Sequence, residues 1–210
     1  MEDIVIIGGG GHAKVVADML AAINRYQIVG YVDPKDRGPL LGSPYMGDDA
    51  SLISLARKRQ TLDVVIGVGQ VRLGVQRSDL WRKLQGVHIC FPSIISVSAI
   101  VSPTVHCAEA CTIMPGAVLN PDATVGIGCI LNSNCTVEHD VILGDWVHIA
   151  PGATICGDVR IGKHSMIGAG ATVIEGVTVS HDCLIGAGAT VIHSIDEPGV
   201  YVGSPARRIR

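Results

Sequence analysis

Between Val101 and Asp196 the chain never leaves a period of six. Cut into hexads it gives sixteen units without a slip, from Val101-Ser102-Pro103-Thr104-Val105-His106 to Val191-Ile192-His193-Ser194-Ile195-Asp196. Position one is Val, Leu or Ile in every unit except the one opening at Cys107, and position five is mostly Ala, Cys or Val. So short a unit cannot bury its apolar side alone, and successive units must stack. Three hexads then close one triangular coil of 18 residues, with the large position-one side chain pointing inward and the small position-five side chain letting the corner close. Composition agrees: one Phe, two Trp and four Tyr against 26 Gly cannot fill an ordinary interior, whereas small aliphatic side chains can fill a narrow prism. The same phase places Cys107, Cys111, Cys129, Cys135 and Cys183 inside it.

Residues 1–92 follow a different grammar, in which apolar runs alternate with helical stretches. The pattern predicts a buried strand at Ile4–Ile7, a tight loop at Gly8–Gly11 and a helix over Ala13–Ile23 with Val15, Val16, Met19 and Leu20 on its apolar side. A strand over Gln27–Val32 follows, then a helix capped by Asp49, a strand at Val64–Ile66, a helix over Arg72–Leu84 and a short strand over Val87–Cys90. Alternation at this spacing means a small parallel α/β sheet. The expected organisation is a Rossmann-like domain over 1–92 and a repeat domain with a C-terminal cap over 93–210.

The charge balance, 16 Lys and Arg against 19 Asp and Glu, recommends neither a nucleic acid nor an anionic membrane as partner. The N-terminal apolar stretch is broken by four glycines, so it reads neither as a signal peptide nor as a spanning helix. Seven cysteines, an odd number with no C-x-x-C pair, read as reduced thiols in a cytoplasmic protein. The outward histidines, counted as His106, His139, His148, His164, His181 and His193, show no spacing suited to a shared zinc ion, and no metal is expected.

Two places carry chemistry. Gly8-Gly9-Gly10-Gly11-His12-Ala13 follows a strand and opens a helix, the context in which backbone amides receive a phosphate, and Asp33 lies where a ribose-binding acid belongs. Only one βαβ half is present, which favours a mononucleotide or sugar nucleotide over a dinucleotide. The second place is Val137-Glu138-His139-Asp140, whose histidine stands at outward position three of its hexad. An imidazole with a near-neutral reference pKa suits proton removal from an attacking amine or hydroxyl, and a neighbouring acid can fix its tautomer.

The repeat resembles the hexapeptide-repeat, left-handed β-helix acyltransferases, and nearly the whole chain resembles the bacterial sugar O- and N-acetyltransferases. The resemblance rests on Gly8–Val15 after the first strand, on Gly67 to Arg72 as G-x-x-x-x-R, on Val137–His148 and on Gly199-Val200-Tyr201-Val202-Gly203-Ser204-Pro205-Ala206. It implies an acetyl-CoA-dependent enzyme, packed as a homotrimer, that transfers acetyl directly to the C4 amine of a nucleotide-linked 4-amino-4,6-dideoxy sugar. His139 takes the place of the general base with Asp140 beside it, and His148 that of a pantetheine contact. Gly157 would supply an oxyanion amide, Gly168, Gly170 and Gly186 a thin wall beside acetyl-CoA, and Lys163 a cation for its phosphates. Gly8, Gly9, Gly10, Gly11, His12, Asp33, Gly67 and Arg72 would hold the sugar nucleotide. A UDP-sugar is favoured, with GDP and dTDP open because Asp33 is followed by Pro34 rather than by a second acid. The alternative reading is O-acetylation of a sialic acid or another sugar. Trp146, Val147 and Ile149 are expected to bracket His148 as an outward patch between subunits.

Overall fold

The computed structural model describes residues 1–210 and divides into two units, Met1–Gly69 with Gln76–Val97, and Gln70–Val75 with Ser98–Arg210. The first unit holds four parallel strands, β1 (Glu2–Ile7), β2 (Tyr26–Val32), β3 (Leu62–Ile66) and β4 (Ile89–Cys90), in the order β2-β1-β3-β4. Helices α1 (Gly11–Ile23), α2 (Asp49–Ala56) and α3 (Gln76–Leu84) alternate with them. Because β1 is flanked by β2 on one side and β3 on the other, the winding reverses between β1 and β3. In open parallel sheets ligands bind beyond the carboxyl ends of the strands at such a reversal.

Three local readings need correction. Val15 is 37% exposed, and α1 buries Ala13, Val16, Ala17, Met19 and Leu20 instead. Residues 13, 16, 17 and 20 form one stripe at helical spacing, and a 100° step turns Val15 away from it. Asp48, not Asp49, caps α2, accepting from the amides of Ala50 and Ser51. Helix α3 starts at Gln76 rather than Arg72, beyond Gly74, a residue that costs a helix interior about 1 kcal/mol relative to Ala.

The second unit is a parallel β-helix. Sixteen short strands, one per hexad from Ile100–Val101 to Thr190–Val191, form three walls. Every rung pairs residue i with i+18, as in Thr136↔Thr154, Ile142↔Arg160 and His148↔Met166. The core is the stack of positions one and five, including Cys111, Ala117, Ala123, Val137, Leu143 and Ile155. Position four takes the left-handed conformation in unit after unit, among them Asp122, Asn134, Asp140 and Asp158, residues that tolerate it better than most.

The column Cys111, Cys129, Val147, Ser165, Cys183 shows why thiols recur inside a prism of aliphatic side chains. Cys111 donates to the Gly126 carbonyl at 3.1 Å, Cys129 to that of Gly144 at 3.2 Å, and Ser165 to that of Ser180 at 2.9 Å. A small buried donor at position five thus satisfies a carbonyl of the next coil. The seven cysteines form no disulfide, and burial pushes the Cys135 thiol up to about 12. Cys107, in the first coil, is only half-buried.

After Asp196 the chain leaves the period. Gly199–Val202 extends the wall of Cys183–Ile185 in parallel, and Arg207–Arg208 returns antiparallel along it, anchored by the ion pair of Arg208 with Glu197. Tyr201 and Ala206 pack on the core at this end, covering apolar surface that an open prism would expose.

Candidate functional site

The reversal between β1 and β3 brings together two loops that lie about sixty residues apart in sequence. Gly8, with φ of +104°, faces Val68 and the Gly67 backbone, so that a Cβ there would lie 3.1 Å from the valine. Across the same gap a Cβ on Gly69 would meet the Cβ of His12 at 3.1 Å. Gly67 itself packs beneath the surface: its missing side chain makes room for Ile6 and Ala13, and its amide donates to the Ile7 carbonyl. Gly10 and Gly11 are different, since a Cβ on either would meet nothing within 4 Å. Helix α1 opens there with no side-chain cap and no acid in its first turn, leaving its positive end unopposed.

Asp33 sits at the end of β2, 7% exposed, and its carboxylate is largely occupied. It accepts from the Gly9 amide at 2.9 Å, the Lys35 amide at 3.0 Å and Arg37 Nε at 3.1 Å. Desolvation, the largest single influence, works to raise its pKa; the two amides and the guanidinium outweigh it and hold the carboxyl below its ordinary value. Asp33 therefore ties the glycine loop to the segment after β2, and the stem of Arg37 lies over Gly9. Tyr31 reinforces that tie, accepting from the Arg37 amide and donating to the Gly38 carbonyl. Arg37 escaped sequence reasoning because nothing periodic marks it. Arg72 is exposed and groups with the coil unit.

In the coil, His139 stands outward and 56% exposed, its Nδ1 2.8 Å from Asp140 Oδ2. A carboxylate can only accept, so Nδ1 carries the proton and Nε2 presents its lone pair. The Asp140 hydrogen bond is the main cause raising the imidazole's pKa; partial desolvation opposes it, and the charges of Asp140, Glu138 and Glu175 add to it. Glu138 is held by Asn120 Nδ2 at 2.7 Å. Gly157, one coil further on, lies beneath the ring. Its N–H takes no part in the strand ladder, at a position that proline occupies in four hexads, at 103, 115, 121 and 151.

His148 is not an outward residue: it is 4% exposed. Asn132 donates to its Nε2 at 3.1 Å, and the amide's orientation is fixed because its Oδ1 accepts from the Ser133 amide. Val147 and Ile149 are core residues, and Trp146 is 6% exposed, so the three do not form an outward patch. The reason is phase: 147 and 149 are positions five and one, which face the axis. Trp146 occupies left-handed position four, with its ring over Gly128. Of the thin-wall glycines, Gly168 is pressed against Ala187 N and Gly186 against Val202, while Gly170 faces open space. Lys163 is exposed. No group of three metal-ligating side chains converges anywhere in the chain, and no helix is long and apolar enough to cross a membrane.

Three family models match: the PglD N-terminal domain over residues 3–77, the bacterial transferase hexapeptide over 123–157 and the hexapeptide repeat of succinyl-transferase over 158–193. Among solved structures, a mutant of perosamine N-acetyltransferase from Caulobacter crescentus, in complex with CoA and GDP-perosamine, is 33% identical, with a TM-score of 0.94 over 100% of this chain and 98% of that one. The acetyltransferase domain of PglB from Neisseria gonorrhoeae, in complex with acetyl coenzyme A, is 32% identical, with a TM-score of 0.92 over 99% of each chain. WeeI from Acinetobacter baumannii, 24% identical over 100% of both chains with a TM-score of 0.85, shares the fold. A search of curated proteins gave no match.

Proposed function

This chain belongs to the acetyl-CoA-dependent sugar acetyltransferases of the hexapeptide-repeat superfamily, and from that premise we propose that it N-acetylates the C4 amine of a nucleotide-linked 4-amino-4,6-dideoxy sugar. The observation that carries this reading is the charge around His139. Asp140, Glu138 and Glu175 all act on its imidazole, and such a field attracts an acceptor that arrives as an ammonium and repels one that carries a carboxylate. It therefore favours an amino sugar over a sialic acid. The relative with GDP-perosamine bound puts a GDP-sugar beside the UDP-sugar that the sequence favoured.

In this reading the N-terminal unit takes the nucleotide diphosphate at the uncapped start of α1, where Gly10 and Gly11 leave the backbone open to a phosphate and Arg37 stands on Gly9. The coil carries out the transfer. The ammonium first gives one proton to solvent; the neutral amine then attacks the thioester carbonyl, Nε2 of His139 removes the second proton as the C–N bond forms, and Asp140 stabilises the imidazolium at the other nitrogen. The Gly157 N–H supports the developing oxyanion. Collapse of the tetrahedral intermediate expels the CoA thiolate, so no residue is acylated. Cys156, next to Gly157 in sequence, is ill suited to serve as a nucleophile, because burial and then the charges of Glu138 and Glu175 raise its pKa.

The cation role of Lys163 and the homotrimer belong to the same proposal. The wall carrying Thr136, Thr154, Thr172 and Thr190, an uncharged β-branched ladder, supports packing between copies, and sedimentation is expected at about three times 21.9 kDa. Seven cysteines with no disulfide among them suit a cytoplasmic site of action. The deciding experiment measures CoA release from acetyl-CoA against UDP-, GDP- and dTDP-linked 4-amino-4,6-dideoxy sugars with free sialic acid alongside. Turnover confined to sialic acid overturns the amine reading.

A further inference from the structure

We propose that Gly157 is the positioning residue of the His139 imidazole, its missing side chain being the space in which the ring lies. The proposal rests on the reading of His139 as general base, and deepens it.

Position three of the hexad is occupied by Pro, Glu, Ile, Ser, His, Asp, Lys or Ala in fifteen units; Gly157 is the one glycine among the sixteen. It falls one coil after His139, hence directly alongside it in the wall. Nothing about its backbone calls for glycine, since its φ lies outside the left-handed region. Nor does the neighbouring coil crowd it. A Cβ built on Gly144, Gly162 or Gly168 would strike backbone atoms of the next coil at 2.8, 2.4 and 2.6 Å. At Gly157 the three nearest atoms all belong to one imidazole: His139 Cε1 and Nε2 at 2.7 Å and Nδ1 at 3.3 Å. The ring rests on the bare backbone of Gly157 while Asp140 holds its Nδ1, and together these fix where Nε2 points. A methyl group needs about 3.5–4 Å from ring atoms, so Gly157→Ala must shift the imidazole by about 1 Å. Because the colliding group is the far end of a side chain, the coil has no reason to unfold.

The test is Gly157→Ala. Its melting temperature is expected to match wild type, kcat to fall about 10- to 100-fold and KM for acetyl-CoA to hold. The His139 imidazole, followed by NMR in the enzyme without substrates, is expected to titrate at lower pH than in wild type because its bond to Asp140 is weakened, and the pH–rate midpoint should move the same way. In a His139→Ala background, Gly157→Ala should cost nothing further. An unmoved His139 titration overturns the proposal whether or not activity falls, since lost activity with an unmoved ring means the glycine serves the thioester directly. A variant that does not fold also overturns it, because the ring alone would then not be what opposes Cβ. Near wild-type kcat in His139→Ala instead breaks the general-base reading, while the titration in Gly157→Ala still decides the steric claim.

Discussion

The start of helix α1 and position two of the coil use glycine to opposite ends. In the α/β unit, Gly10 and Gly11 leave space empty where a helix presents its unopposed positive end. In the coil, Gly126, Gly144, Gly162 and Gly168 leave no space at all, because the next coil's backbone fills the place of their Cβ. The lesson concerns where function can reside. In a unit without a repeat, chemistry gathers in loops beyond the strand ends. In a repeat whose inward positions all pack, it resides on the outward ones, such as the histidine at position three and the one glycine at that position, which accommodates it.

The sharpest way to break this contrast is His139→Ala. A residue that departs from the repeat without serving it should lose about 10²- to 10⁴-fold in acetyl transfer with the melting temperature unchanged, as read by steady-state kinetics beside calorimetry. The wild-type rate should rise with pH through a group titrating above the ordinary histidine value, since the base works only when deprotonated and its pKa is raised. Asp140→Asn should bring that midpoint down.

Gly162→Ala makes the opposite demand. Its Cβ would come within 2.4 Å of the His181 backbone nitrogen, which cannot swing aside, and a loss of about 1–3 kcal/mol is expected, seen as a lowered melting temperature with the folded fraction still active. A melting temperature equal to wild type would mean the coils are less tightly stacked than the contrast requires.

Gly10→Leu should leave melting untouched, because nothing lies within 4 Å, and weaken sugar-nucleotide binding about 10-fold while acetyl-CoA affinity holds. Separate calorimetric titrations with each ligand decide it, and equal loss of both would remove the nucleotide from this loop. The smallest effect belongs to Asp33. Its folded pKa is depressed, so the stability it contributes is present above its unfolded value of about 3.9 and is lost as pH falls through the folded one. Asp33→Asn should flatten that part of the acid melting profile, and an unchanged slope would mean the tie to Gly9 and Arg37 contributes nothing.

Much of this was legible in the sequence. The hexad phase alone fixes the register, since stacking coils of 18 residues forces i to pair with i+18, and that register places Gly157 beside His139 before any coordinates are seen. It also assigns inward and outward faces, and with them the core. Val147 and Ile149, at positions five and one, belong to the core by that same phase. His148 is a different case. Position six points outward by phase, yet the residue is buried and its Nε2 is taken by Asn132, because outward in a coil means only away from its axis. Asp33 was found at the spacing of a ribose acid, but spacing says nothing of which lone pairs the protein itself has already used.

The sequence by itself determined the repeat, the alternating α/β unit, the glycine loop and the outward His139–Asp140 pair, because periodicity and local turn chemistry act over a few residues and leave their marks in order. Only the tertiary structure decided that Gly67–Gly69 faces Gly8–His12, that Arg37 lies on Gly9, and that His139 rests on Gly157 with its Nε2 free of Asp140. Those contacts depend on distances of a few tenths of an ångström between residues far apart in the chain, and no pattern of residue types records a distance.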